Sequence, residues 1–193
     1  MQMVYPVYRL LSGMATLGLP LALTKWVSEY LGAKEYPQIT ALRKWAAQIV
    51  LVGAIIAGIF LIFVTPFLSR FIFTDPRVRE ALLVIALAIP FSALSAIYRG
   101  YFQGFSNTAP TAFSEITEQF SEVGVTFLLV CVAGPILSYS TYTYPLVGLT
   151  FGEIVCLVTL VCFLRRQKVI PANNGTSIPK PEIFSYSWPL LFK

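Results

Sequence analysis

The chain has 193 residues, 56% of them apolar and only 12% charged, with 14 basic against 9 acidic side chains and no histidine. Soluble domains carry about 25% charged residues; here mean hydropathy is +0.73, and the apolar residues come in long uncharged runs, the signature of a membrane protein. The net charge of +5 lies in the gaps between those runs and not along a stripe, which argues against a nucleic-acid-binding face, and the lack of histidine excludes a His-based triad or a histidine-ligated hydrolytic metal.

In chain order, the runs predict an all-α, polytopic bundle of about five membrane spans. Residues 1–8 are short and aromatic, and Tyr5 and Tyr8 suit a membrane interface. Residues 10–24 carry no basic or acidic side chain; with 4–8 added they predict a first span over 4–24, kinked at Pro20, in which Arg9 snorkels or faces a cavity. The run has about the length of a secretory h-region, but only Arg9 precedes it and no small-x-small cleavage site follows. Residues 29–44 read as a mixed-charge connection. Residues 45–69 are 25 uncharged residues, the clearest span, with Ala54 and Gly58 spaced for close helix packing.

A short loop over 70–80 turns at Asp75-Pro76. The third span, 81–98, contains Pro90. A break follows over 100–110, marked by Gly100, Gly104, Asn107 and Pro110, with the two glycines also available for close packing. The fourth span is predicted over 111–133. After a Ser/Thr/Tyr-rich loop, the fifth runs over 145–164 with Gly148 and Gly152 in GxxxG spacing. Residues 1–168 thus form one helical lobe and 169–182 a polar connecting loop. Residues 183–193 turn apolar again and read as the start of a truncated further span. The chain is therefore expected to be a fragment of a larger transporter-like protein; the alternative is a complete five-span protein.

The most polar stretch is 99–122, and the helix after Pro110 places Glu115, Glu118 and Glu122 on one face with Gln119 beside them. The functional reading is a cavity wall that takes a cation or a polar head group. The structural alternative for Glu115 and Glu118 is a helix N-terminus at the interface, where the dipole favours acids. Glu122 falls near mid-span, where an ionisable group is costly unless it faces protein or water. Glu153, alone in the fifth span, could pair with Arg9, bind a proton or cation, face a water-filled cavity, or be satisfied by Thr150 or a neighbouring hydroxyl. Arg9 and Arg99 are the basic candidates for a phosphate-bearing substrate; for Arg99 a positive-inside anchor is the plainer role. Cys131, Cys156 and Cys162 match no metal or redox spacing and read as small buried hydrophobes. No catalytic set, metal site or cofactor is expected.

Counting basic residues over alternate gaps gives ten on one side and four on the other. The positive-inside rule then predicts a cytoplasmic 165–182 and an external N-terminus.

Two stretches carry a family resemblance: Gly18-Leu-Pro-Leu-Ala-Leu-Thr-Lys-Trp-Val-Ser-Glu29, and residues 99–119, which read Arg-Gly-Tyr-Phe-Gln-Gly-Phe-Ser-Asn-Thr-Ala-Pro-Thr-Ala-Phe-Ser-Glu-Ile-Thr-Glu-Gln. They resemble the polysaccharide-biosynthesis and flippase branch of the multidrug/oligosaccharidyl-lipid/polysaccharide exporter superfamily, and within it the stage V sporulation protein B group of endospore-forming bacteria, itself similar to the lipid II flippases. The hydropathy pattern agrees along the whole chain. The resemblance implies two six-helix lobes that rock about a central polar cavity, of which this chain covers most of the first, beginning around its second helix. It implies a bacterial inner membrane, an undecaprenyl-linked sugar or peptidoglycan precursor as substrate, a setting such as spore-cortex synthesis, and a partner in the missing C-terminal lobe or a second copy. Three positions after the Glu-Gln pair the family often has a basic residue; here stands Glu122. That departure weakens direct pyrophosphate binding by this helix and suits coupling to Na⁺ or H⁺.

The expected function is therefore a flippase fragment working by alternating access, without covalent chemistry. The rivals are a Na⁺- or H⁺-coupled multidrug/cation antiporter of the same superfamily and a truncated, non-transporting membrane protein or scaffold.

Overall fold

The computed structural model describes residues 4–16, 18–69, 77–133 and 143–166. They form six helices: α1 Val4–Thr16, α2 Leu19–Gly32, α3 Tyr36–Phe67, α4 Arg77–Gly104, α5 Ala109–Ala133 and α6 Tyr144–Arg166. There is no strand among the described residues. The chain is an all-α polytopic bundle. Most of the loop expected over 70–80 and all of 167–193, including the candidate further span, lie outside the described residues, as does most of the 134–144 loop.

Among the described residues three helices are long and apolar enough to cross a membrane: Tyr36–Phe67, Arg79–Gly104 and Tyr144–Arg166. Pro6–Thr16 and Leu19–Gly32 together make a fourth candidate, bent by 41°. Helix α5, 25 residues long, reaches ~37 Å at 1.5 Å per residue, but holds three glutamates in its first fourteen residues. Its lipid-side character is carried by exposed Phe120, Val123, Phe127 and Leu128.

Helix α4 is the hub and touches each of the other five helices. Leu82, Ile85, Ala88, Ile89, Ala93, Ile97 and Phe102 are fully buried on it, so it presents apolar side chains to several neighbours at once, as a central helix does. Helix α3 buries one stripe, Ile39, Leu42, Ala46, Val50, Ala54, Gly58, Leu61 and Thr65, at spacings of three and four, and leaves Val52, Ile56, Phe60 and Phe63 exposed. A helix apolar on both faces is at home in lipid. The Ala54/Gly58 pair does pack: a side chain at Gly58 would come 3.1 Å from the Ala86 carbonyl, the carbonyl that Pro90 leaves without its i+4 donor.

Several boundaries differ from the expected ones. The first span is not one helix kinked at Pro20. It breaks before Gly18, whose left-handed φ of 67° places it at the N-cap of α2, and Pro20 sits in the first turn, where its missing N–H costs nothing. The 29–44 connection shrinks to residues 33–35, because charge shows where the hydrocarbon ends and not where a helix ends. The break after the third span begins beyond Gly104, not at Gly100, and α5 starts at Ala109 rather than Thr111. Ser106 takes a left-handed φ of 55°, Asn107 accepts the Ala109 N–H at 3.3 Å, and Pro110 lies in the first turn of α5.

Gly100, well inside α4, is a packing residue. A side chain there would meet the Pro20 carbonyl at 2.5 Å, and one at Gly104 would meet Val27 at 2.6 Å. Thr24 and Ser28 of α2 complete the seam by donating to the carbonyls of Gly100 and Gly104, each at 3.0 Å. Gly148 and Gly152 do the same for α6 against α5, where Cβ atoms would lie 2.7 Å from the Glu122 carbonyl and 3.0 Å from the Glu118 carbonyl.

Candidate functional site

Helices α1, α4, α5 and α6 line a partly open polar cavity of about 310 Å³. Helix α1 contributes Tyr8, Arg9, Ser12, Gly13 and Thr16; α4 contributes Ser92, Ala96 and Arg99; α5 contributes Glu118, Gln119 and Glu122; α6 contributes Leu149 and Glu153. Six of the seven residues proposed from the sequence as pathway candidates therefore share one cavity. The close α5–α6 approach at Gly148 and Gly152 brings Glu118 and Glu122 to the wall beside Glu153.

The seventh, Glu115, lies outside the lining, 57% exposed, with an oxygen 3.9 Å from an Arg99 Nη. Arg99 is not an outward-facing anchor. Its guanidinium turns inward, donating to Glu118 on α5 and to the Cys156 Sγ on α6 at 3.0 Å, so one side chain ties three helices. The Arg99 Nε is buried without a hydrogen-bond partner. A helix-dipole role for Glu115 and Glu118 does not hold either: α5 begins at Ala109 and has no acid in its first turn, where such an effect is confined.

Glu153 is 8% exposed and accepts the Tyr8 hydroxyl at 2.6 Å. The neighbouring hydroxyl foreseen for it is present, and Glu153 also lines the cavity together with Arg9; Thr150 donates to the Leu146 carbonyl at 2.9 Å. Tyr8, expected at the interface, is 4% exposed and spans α1 to α6. Ser12 and Ser92 meet across the α1–α4 side with hydroxyls 3.0 Å apart. Tyr8, Ser12 and Thr16 were not singled out as site residues, yet their i, i+4, i+8 spacing puts them on one helix face, and that spacing was the available signal. Cys156 is buried as expected, whereas Cys131 and Cys162 are exposed. Gly100, Gly104, Asn107 and Pro110 shape the helix seam and break and do not line the cavity. Among the described residues no group of three His, Cys, Asp or Glu is placed to hold a metal ion.

The Tyr8–Glu153 bond gives a measurable expectation. Tyr8→Phe keeps the ring and removes the donor. Interhelical hydrogen bonds in membranes are worth about 0.6 kcal/mol on average and up to 1–2 kcal/mol in model systems. This one is buried and serves a carboxyl group, so a loss of ~1–2 kcal/mol in a reversible unfolding assay is expected. A Glu153→Leu variant, which has no acceptor for the hydroxyl, should then lose little further when Tyr8→Phe is added.

Compared with known proteins, the whole chain, residues 1–193, matches the family described as polysaccharide biosynthesis protein. The chain belongs to this family. It is 26% identical over 168 residues to stage V sporulation protein B of Bacillus subtilis (strain 168), covering 86% of this chain and 32% of that protein. It is 27% identical over 212 residues to the lipid II flippase MurJ of the same organism, covering 97% of this chain and 38% of that protein. It thus spans about a third of the length of these two relatives. No solved structure matches it. A cavity with two guanidinium groups and three carboxyl groups inside an apolar helix bundle is consistent with a family named for handling sugars.

Proposed function

We propose that this family member forms one wall of a membrane carrier that flips an undecaprenyl-linked oligosaccharide or peptidoglycan precursor by alternating access, with transport rather than catalysis as its work. The observation that carries this reading is the polar cavity bounded by Arg9, Arg99, Glu118, Glu122 and Glu153 between apolar helices. A charged, sugar-bearing head group cannot enter hydrocarbon unaided, and side chains of both signs can replace its water. The name of one relative, a lipid II flippase, supports the substrate class, and that of the other supports a sporulation setting. The cavity of about 310 Å³ is walled by the helices of this one bundle. A second lobe, or a second copy, would complete the enclosure. In the bilayer we place the N-terminal end of α1 outside and the basic end of α6, Arg165 and Arg166, in the cytoplasm of a bacterial cell, following the excess of Lys and Arg on that side.

The test uses the natural-length protein in vesicles containing fluorescent lipid II, read by protection from a membrane-impermeant quencher. Exchange between leaflets that depends on the protein supports the reading, and no exchange overturns it. Loss of the gene in a spore-former should leave cortex-deficient spores if the precursor serves that layer.

The excess of carboxyl groups over guanidinium groups around the cavity favours one second reading, a cation antiporter. The coupling ion in that reading is Na⁺ or H⁺, either of which a cavity carboxyl group can take. Under this reading Glu122→Gln abolishes Na⁺- or pH-gradient-driven efflux of a cationic dye. Under the flippase reading dye efflux is absent from the start, and precursor export is what stops when the protein is depleted.

A further inference from the structure

Away from the cavity, the first turns of α3 hold two basic side chains that no acid neutralises. Arg43 and Lys44 are the charged residues of α3, which has no acidic one. Among the described residues neither is in an ion pair. The carboxylates nearest this end of the bundle are engaged elsewhere, Glu29 with Lys25 at 3.7 Å, and Glu115 and Glu118 with Arg99. Glu35, ahead of the first turn of α3, stands ~12 Å from Arg43 along the helix. Arg43 is nonetheless held in place. Its Cζ lies 5.4 Å from the centre of the Tyr101 ring on α4, inside the range of a cation–π contact. Tyr101 is 5% exposed and is pinned by Phe102 and Phe105, whose ring centres are 5.6 and 5.0 Å away. The Arg43 Nε is buried without a hydrogen-bond partner. The donors left for a partner are those on the terminal nitrogens, the end-on fork that suits a phosphate. Depth points the same way. The uncharged run 45–69 starts directly after Lys44. Its 25 residues extend ~37 Å at 1.5 Å each, more than the ~30 Å of hydrocarbon, so Arg43 and Lys44 stand at the level of the lipid phosphates. Lys44 is exposed there, and Arg43 and Trp45 are half-buried.

We propose that Arg43, stacked on Tyr101, and its neighbour Lys44 form a binding site for the phosphate of an anionic phospholipid in the leaflet at this end of the bundle. The Arg43 fork donates to the phosphate oxygens, and Lys44 supplies a second positive charge from the next position on the helix. Net charge decides which lipid is held. A zwitterionic headgroup brings an ammonium group, which meets two cations and no acid on α3; an anionic headgroup brings none. Stacking on a pinned ring orders the guanidinium before lipid arrives, so little side-chain freedom is lost on binding. That order separates Arg43 from an ordinary basic anchor, which answers only to the charge of the membrane surface. Neither Arg43 nor Lys44 lines the cavity, and the site does not depend on what the cavity carries.

The test is native mass spectrometry of the natural-length protein, delipidated in a non-ionic detergent and titrated with dioleoyl phosphatidylglycerol or dioleoyl phosphatidylcholine. A neutral micelle has no surface potential to favour every basic side chain alike. The first phosphatidylglycerol should bind about tenfold more tightly than the first phosphatidylcholine, the scale of one charge-assisted hydrogen bond. Arg43→Gln should remove most of that preference. Arg43→Lys, which keeps the charge and loses the fork, should keep part of it, and Tyr101→Phe, which keeps the ring face, should keep it whole. Arg165→Gln, at an exposed basic position in the last turn of α6, should leave it unchanged. A parent protein that does not prefer phosphatidylglycerol overturns the site, and that reading needs no variant to fold. A preference that survives Arg43→Gln overturns the assignment to Arg43. An equal fall in Arg43→Gln and Arg165→Gln overturns the site in favour of general attraction between basic residues and anionic lipid. Displacement of phosphatidylglycerol by millimolar inorganic phosphate overturns the lipid as occupant and makes free phosphate the ligand; persistence of the lipid adduct in that buffer supports the proposal.

Discussion

Replacing Arg99 with Met is expected to destabilise the bundle by about 2 kcal/mol and to slow lipid II exchange at least about tenfold, and replacing Glu118 with Met as well should restore most of the stability but none of the exchange. Breaking a fully buried ion pair costs about 3–5 kcal/mol, because the partner is left charged and unpaired. Arg99 and Glu118 keep 26% and 17% of their side-chain surface accessible, so water screens part of that cost. The double variant removes both charges at once, and the penalty of the orphaned carboxylate disappears with them. A double-mutant cycle reads the coupling directly, and ~1–2 kcal/mol is expected. If Arg99 were only a surface anchor, both single changes would fall within ~0.5 kcal/mol and add. Arg99→Lys separates charge from geometry. Lysine keeps the positive end but not the planar fork that reaches Glu118 and Cys156 together, so it should hold stability better than Met while exchange remains impaired.

The residues that the sequence made visible were those whose chemistry contradicts their surroundings. Glu118, Gln119, Glu122 and Glu153 stand out because carboxyl and amide groups inside apolar runs need a reason to be there. Gly148 and Gly152, and Ala54 with Gly58, stand out because small residues four apart make a flat strip. The helix ends were less legible. Arg99 and Gly100 looked like a terminus because charge and glycine occur together, yet α4 continues to Gly104, since Gly100 is needed flat against Pro20 and its conformational freedom is not used. The same cause hid the inward aim of Arg99: a basic residue near a span end is ordinarily an anchor, and only the placement of α5 and α6 shows its partners. Tyr8 and Ser12 were obscured differently. A tyrosine near a chain's apolar run suits an interface as well as a core, and the choice depends on Glu153, 145 positions away. Long-range pairings of this kind leave no local trace in one sequence. The break before Gly18 was hidden by Pro20, the louder signal two residues later, which starts a helix here instead of kinking one.

The α5–α6 seam gives the second large effect. Gly148→Leu should unfold or misassemble the lobe, and even Gly148→Ala should cost about 2–3 kcal/mol, at the upper end of what overpacking by one group does. A Cβ at this position would sit 2.2 Å from the Thr126 Oγ1 and 2.7 Å from the Glu122 carbonyl oxygen. The hydroxyl can rotate away; the carbonyl belongs to a helix backbone and cannot. Adding Thr126→Ala should therefore recover only part of the loss, which identifies backbone contact as the cause. Gly124→Ala is the matched control on the same pair of helices. Nothing lies within 4 Å of its added Cβ, so removing a mid-helix glycine should be neutral or stabilise by up to ~1 kcal/mol. Both variants change one hydrogen to a methyl group, so helix propensity moves the same way in each and the difference between them is packing. The loss at Gly148 also bears on the cavity. The carbonyl it would strike is that of Glu122, whose side chain lines the site, and pushing α5 away from α6 moves Glu118 and Glu122 relative to Glu153. Thermal unfolding in detergent measures the first effect. The second is read in any Gly148→Ala protein that still assembles: lipid II exchange should fall further than its fraction folded, because a wall displaced by ~1 Å no longer presents its charges together.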